Sequence, residues 1–259
     1  MNNSPEAWQN WIAARNKTFA DPTGFLSITA LVWLTDEPQE IHGLSGQWSS
    51  DGETIYVKNS NTGDHQWLIG TNDTTIDFDG IKVELANRNN QLVVRPRDPK
   101  SPMLSAFEGV LVFDYDPSFA VKASFEAFPE AKEVVVGTVV EGMTSAYVSP
   151  GRLHFQLGGQ DFTLTAFEKP NSKDLVVYYK DATANILTYG TGKSVTASYQ
   201  SDGTYLLDFN YSGNFPCSYT DFATCPVAPV ENKLPIAIEA GEKKPLYRNT
   251  LEGVISQVH

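Results

Sequence analysis

Residues 74–88 read TTIDFDGIKVELANR. Ile76 and Phe78 alternate with polar residues up to Asp79-Gly80, and Ile81, Val83 and Leu85 alternate again after it. A period of two turns every second side chain to the same face, and Asp-Gly suits a tight type I′ hairpin turn. The stretch therefore predicts two antiparallel strands. RLHFQLGGQDFTLTAFE (152–168) repeats the design around Gly158-Gly159, and SVTASYQSDGTYLLDFN (194–210) repeats it around Asp202-Gly203. Between these hairpins stand LVVRPR (92–97), VLVFDY (110–115), VKASFEAF (121–128), EVVVGTVV (133–140) and LVVYYK (175–180), all short β-branched or aromatic runs. The fold class that follows is mainly β, an antiparallel sandwich or barrel-like body of hairpins.

One helix precedes it. Ser4 is a good N-cap, Pro5 suits the first helical position and Glu6 faces the positive end of the dipole. A helix over about 5–18 puts Trp8, Trp11, Ile12 and Arg15 on one face, and DPTG at 21–24 ends it. Helical periodicity does not clearly return. The best boundary is RPRDPKSPM (95–103), whose prolines interrupt strand pairing. The expected organisation is a helix and connector over 1–24, a first β lobe over 25–98 and a second over 99–259, or one continuous body carrying both lobes.

Composition narrows the partners. A chain of 259 residues, 41% hydrophobic, is long enough to bury a large core. Its net charge of -12 repels nucleic acid and anionic membranes, so neither is expected as a partner. There is no basic-then-apolar leader at the start and no apolar run of about 18 residues, which makes the expected setting cytoplasmic. His42, His65, His154 and His259 are scattered, and none stands near a cysteine at ligand spacing. They read as structural or surface residues. G-x-S-x-G, H-E-x-x-H, Walker and G-x-G-x-x-G patterns are absent. No metal and no cofactor is expected, and the sequence does not decide whether the protein is an enzyme.

The chemistry concentrates in NFPCSYTDFATCPVAPVENKLP (214–235), an irregular stretch holding Cys217 and Cys225 in a C-x7-C spacing. The thiols read first as buried and reduced, with a redox pair as an alternative. Asp208 and Asn210 end the preceding strand, Asn214 opens the loop, Tyr219 lies within it and Glu231 with Asn232 closes it. Amides and carboxylates in such a loop either satisfy its own backbone or stand on a rigid platform as a site. Arg95, Arg97 and Asp98 form a local ion pair or an anion clamp facing the loop. YYKDATANILTYGTGK (178–193) adds Lys180, Asp181, Tyr189 and Lys193. The candidate ligand-binding set is Arg97, Asp98, Tyr189, Asn210, Asn214, Tyr219 and Glu231. The expected function is binding, with or without turnover, of a small polar or anionic molecule at a loop-lined pocket. The alternative is a non-catalytic protein-interaction module braced by the loop.

GFLSITALVWL (24–34), RPRDPKSP (95–102), TYGTGK (188–193) and above all LDFNYSGNFPCSYTDFATCPVAPVENKLPIAIEAGEK (207–243) are similar to the bacterial domain-of-unknown-function family 1684. The resemblance extends over nearly the whole chain, to about Lys244. It implies no reaction and no catalytic residue. It departs at GNFP (213–216), where relatives tend to double the proline, and at ATANIL (182–187), where they carry Gly and Lys. In other members the first half resembles a forkhead-associated, phosphopeptide-binding sandwich. The Gly-Arg, Ser and His signatures of that module are missing here between 40 and 90, so no phosphothreonine binding is inferred.

Overall fold

The computed structural model describes residues 4–59 and 61–257. Helix α1 (Pro5–Phe19) starts at Ser4, whose Oγ accepts the Ala7 amide at 3.1 Å, a cap worth about 1 kcal/mol. Its tryptophans lie against Tyr115 and Tyr211. Trp8 meets Tyr115 with ring centroids 6.0 Å apart, and Trp11 meets Tyr211 edge-on at 5.6 Å. Among the described residues no helix is long and apolar enough to cross a membrane.

Strands β1 (Val32–Trp33), β2 (Gln47–Ser50), β3 (Thr54–Lys58), β4 (His65–Leu68), β5 (Thr74–Phe78), β6 (Ile81–Arg88) and β7 (Gln91–Arg97) make two sheets, ordered β1-β7-β6-β5 and β2-β3-β4. They close on one core around Trp48, Ile55, Val83, Leu85 and Val94. The β5–β6 turn is the expected one: Asp79 and Gly80 both have positive φ, 53° and 80°, as type I′ requires. His65 is structural and stacks on Trp67 at 5.7 Å. Pro96 does not end β7. It pairs with Val83 on one side, and on the other its carbonyl accepts the Thr29 amide beyond the end of the two-residue β1. The irregular segment there asks nothing of the missing N–H, so the strand runs on through Arg97. The expected break begins only after it, where the short helix α2 (Pro102–Ala106) starts, an element the sequence pattern does not reveal.

Strands β8 (Ala120–Gly137), β9 (Thr144–Leu157), β10 (Gln160–Glu168), β11 (Leu175–Tyr179), β12 (Lys193–Tyr199) and β13 (Tyr205–Asp208) pair in the order β11-β10-β9-β8-β13-β12. A further pairing of β11 with β12 closes them into an antiparallel barrel. The barrel interior is apolar, with Leu153, Leu164, Val177, Ala197, Leu207 and Phe209 among its buried residues. β8 joins two of the expected runs into one strand, with a register irregularity between Ala127 and Lys132 that absorbs Pro129. The turn at 201–203 is longer than a two-residue hairpin, since Gln200 and Thr204 pair across it and only Gly203 has positive φ. β14 (Gly213–Asn214) adds to the edge of β12, while β15 (Tyr247–Thr250) and β16 (Gly253–Ser256) form a terminal hairpin. A third cluster, of Phe19, Leu26, Met103, Val110 and Tyr219, joins the helices to the loop between the sandwich and the barrel.

Candidate functional site

The side-chain amides of Asn210 and Asn232 are occupied within the protein, whereas Asn214 Oδ1 is buried without a hydrogen-bond partner. Asn210 is fully buried. Its Oδ1 accepts the Asp116 amide at 3.0 Å, while Nδ2 donates to the Asp116 carbonyl and to Asp208 Oδ1, both at 2.8 Å. Asn232 does the same for the barrel, accepting from the Thr165 amide at 2.7 Å and donating to the carbonyls of Thr165 and Tyr178 at 2.8 Å each. The Asn214 amide N–H reaches Glu242 Oε2 at 2.7 Å, and its Nδ2 reaches the Lys243 carbonyl at 2.7 Å. Glu242 is itself buried and takes Arg15 Nε of α1 at 2.6 Å. Burial pushes its carboxyl up, against the pull of Arg15. The chain reaches this point because Gly241 has φ 75°. A Cβ there would stand 2.5 Å from the Ser212 carbonyl oxygen.

Lys193 and Asp181 also turn inward. Lys193 Nζ lies 3.0 Å from the Ala240 carbonyl and 3.4 Å from Asp181 Oδ2, both residues being buried. Burial lowers the lysine and Asp181 partly restores it. Tyr219 is buried among Phe19, Phe25 and Phe107. Asp98 caps its own turn through the Lys100 amide at 2.8 Å. Glu231 is exposed on a single turn. Of the seven candidates, Arg97 and Tyr189 line clefts, a different one each.

The cleft at Arg97 encloses about 480 Å³ between the outward face of β5–β7 and the Pro/Cys loop. Hairpin register builds its floor: Asn89 and Asn90 turn at φ 52° and 62°, which sets Glu84 opposite Arg95. Glu84 is only 4% exposed because the loop covers this face. Arg95 and Arg97 each bond one of its carboxylate oxygens. Arg97 also donates to the Thr23 carbonyl at 3.0 Å, and Arg88 grips Asp73 through both terminal nitrogens at 2.7 and 2.6 Å. Those hydrogen bonds hold Asp73 below the usual carboxylate range. Two carboxylates thus face three guanidiniums. Arg95 bears the imbalance: Nε is buried with no partner, and Nη1 has none among the described residues. Phe25, Ile28, Pro216 and Ala223 supply an apolar wall, and Cys225 closes it.

The cleft at Tyr189 is smaller, about 380 Å³, and polar. Arg248 dominates it but is already engaged. Its Nε donates to Asp221 at 2.9 Å, and its terminal nitrogens reach Asp221, the Tyr189 hydroxyl and the Cys217 carbonyl. Burial raises the Tyr189 hydroxyl, and Arg248 opposes that shift. Lys244 lines the same cleft and has no ion pair or hydrogen bond from its ammonium to a described residue. Among the described residues no group of three or more His, Cys, Asp or Glu is placed to hold a metal ion. His154 lies between Glu126 at 2.7 Å and Thr163 at 2.9 Å, and His259 lies outside the described residues.

Sequence reasoning reached Arg95 and Arg97 but missed Glu84, Asp73, Arg248 and Lys244. The Asn-Asn pair at 89–90 was the usable signal. Read as a hairpin turn, it pairs Glu84 with Arg95 by counting outward.

The family model described as "Protein of unknown function (DUF1684)" matches residues 105–243. That span is about half the chain, so the likeness is shorter than the expected near-complete one, and GFLSITALVWL and RPRDPKSP fall outside it. The solution NMR structure of the uncharacterized protein from gene locus rrnAC0354 of Haloarcula marismortui is 30% identical. It covers 54% of this chain and 78% of its own, with a TM-score of 0.45. No curated protein matches the chain.

Proposed function

The chain belongs to this family of unknown function, and we propose that it binds a small monoanion, a carboxylate carried on an apolar body, in the cleft between β5–β7 and the Pro/Cys loop. The observation that carries the reading is the charge imbalance at Arg95, one guanidinium more than the carboxylates beside it and two of its nitrogens unspent. An unmatched cation in a covered site is costly, and a carboxylate would offset that cost with charge-assisted hydrogen bonds of roughly 1.5–3 kcal/mol each. The apolar wall selects against a fully hydrated anion and for one with a hydrocarbon or aromatic body. A cleft of about 480 Å³ lies within the range of small-molecule sites.

Thermal shift with benzoate, inorganic phosphate and tetramethylammonium tests it. Benzoate raises the melting temperature with concentration, as a ligand for the native state must, while phosphate does so less and the cation does nothing. Arg95→Met removes the benzoate response. Failure of benzoate and other small carboxylates to stabilise the wild-type protein contradicts the reading.

A further inference from the structure

Anion binding leaves the two thiols without a task, yet the fold places them together. The turn at Pro216–Ser218 and the bridge between Thr138 and Pro226 bring Cys217 and Cys225 into contact. The Cys217 amide donates to Cys225 Sγ at 3.3 Å, which sets the two sulfurs side by side. Both are free cysteines walled by Phe215, Ala223, Val139 and Tyr178. This proximity separates their acidities. Cys217 is lowered, first by the Cys225 thiol beside it, then with help from Thr191 and Arg248 against its burial. Cys225 is pushed far up by the same neighbour and by burial. Access separates them too, since Cys217 is 0% exposed and Cys225, 8% exposed, lines the cleft.

We propose that Cys217 and Cys225 are a dithiol site, converted to an intramolecular disulfide by small hydroperoxides that enter along the cleft. Cys217 first gives its proton to solvent, and its thiolate takes the Cys225 proton as the Cys225 sulfur attacks the peroxide. The O–O bond breaks, Cys225 becomes a sulfenic acid, and the departing hydroxide takes the proton from Cys217 to leave as water. The Cys217 thiolate then attacks the Cys225 sulfur, and the S–O bond breaks to release hydroxide, protonated by solvent. In sum, two thiols and one hydrogen peroxide give one disulfide and two waters, the peroxide accepting the two electrons. Cys217 is the resolving group because it is the stabilised thiolate and is shielded from solvent. Thr191, which lines the cleft at Tyr189, touches Cys217 Sγ at 3.6 Å. The bridge therefore joins Cys225, in the lining of one cleft, to the neighbour of Thr191, in the lining of the other. The proposal uses the first cleft only as an entry path, so a protein that ignores benzoate still tests it.

The test is intact-mass measurement of the full chain treated with hydrogen peroxide, followed by unfolding and alkylation. The wild-type protein loses the mass of two hydrogens and both alkylatable thiols, and a phosphine restores them. Cys217→Ser, which lacks the resolving group, accumulates a sulfenic acid at Cys225 that dimedone traps. Both thiols surviving peroxide, stepwise oxygen addition without the two-hydrogen loss, or covalent dimers in place of the internal bridge would each overturn the proposal. The wild-type measurement decides even where the serine variant does not fold.

Discussion

Two clefts touch the Pro/Cys loop and hold their cations differently. At Tyr189 the arginine is engaged by Asp221, the tyrosine and a carbonyl, and the spare charge sits on Lys244, a half-buried lysine whose ammonium has no ion pair or hydrogen bond to a described residue. At Arg97 the spare charge sits on Arg95, covered by the loop and fixed by Glu84. A lysine that is free to reach water needs no ligand, because solvent satisfies it. A covered guanidinium with unspent donors is what a bound anion would complete.

Counter-ion removal should separate the two clefts most strongly. Glu84→Ala strands Arg95 and Arg97 under the loop and costs about 3–5 kcal/mol of stability. Asp221→Ala removes a carboxylate that is itself 37% exposed, against 6% for Glu84, and leaves Arg248 its bonds to the Tyr189 hydroxyl and the Cys217 carbonyl, so it costs about 1 kcal/mol or less. Urea midpoints of the two variants check this, and equal losses would erase the distinction between covered and open charge.

A second contrast lies within the loop's own polar groups. Asn210→Ala leaves the Asp116 amide and carbonyl without their partner and costs about 3 kcal/mol. Glu231→Gln, on an exposed turn, changes stability by less than about 0.5 kcal/mol. Neither should alter the response to benzoate. Loss of that response in Glu231→Gln at unchanged stability would move the site to the loop's far end.

The smallest effect expected is a pH slope. Burial raises the Asp208 carboxyl, and one of its oxygens has no partner. A raised carboxyl contributes stability that is fully present below its unfolded value, near 3.8, and is lost as the pH rises through the folded value. Melting temperatures of the wild type and Asp208→Asn, a neutral stand-in for the protonated acid, should agree best below that window and separate as the pH rises, the wild type falling below the variant. An Asp208 contribution that grows with pH would reverse the assignment.

These contrasts also mark what the chain declares about itself. Asp79-Gly80 and Gly158-Gly159 declare their hairpins because a positive φ at adjacent positions is a local requirement, met by few residues. Ser4-Pro5 declares the helix for the same reason. Barrel closure, β11 on β12, depends on where strands meet after the chain has turned several times, and no local pattern records it. Asn210 and Glu231 look alike in sequence, since both are polar residues flanking a loop. Only packing shows that one is buried against Asp116 and the other faces water. Arg95 reads as half of an ion pair, which it is, but the third guanidinium that unbalances the charge comes from Arg88 at the far end of β6.

The most direct measurement is a titration of the isotopically labelled protein with benzoate, following backbone amides and arginine Nε–H signals by NMR. The account predicts shifts at the Arg95 Nε–H and at the amides of Thr224 and Cys225, with those of Asn185, Thr191 and Gln257 unmoved. Shifts confined to the second group, with Arg95 unchanged, would contradict it and assign the anion to the cleft at Tyr189.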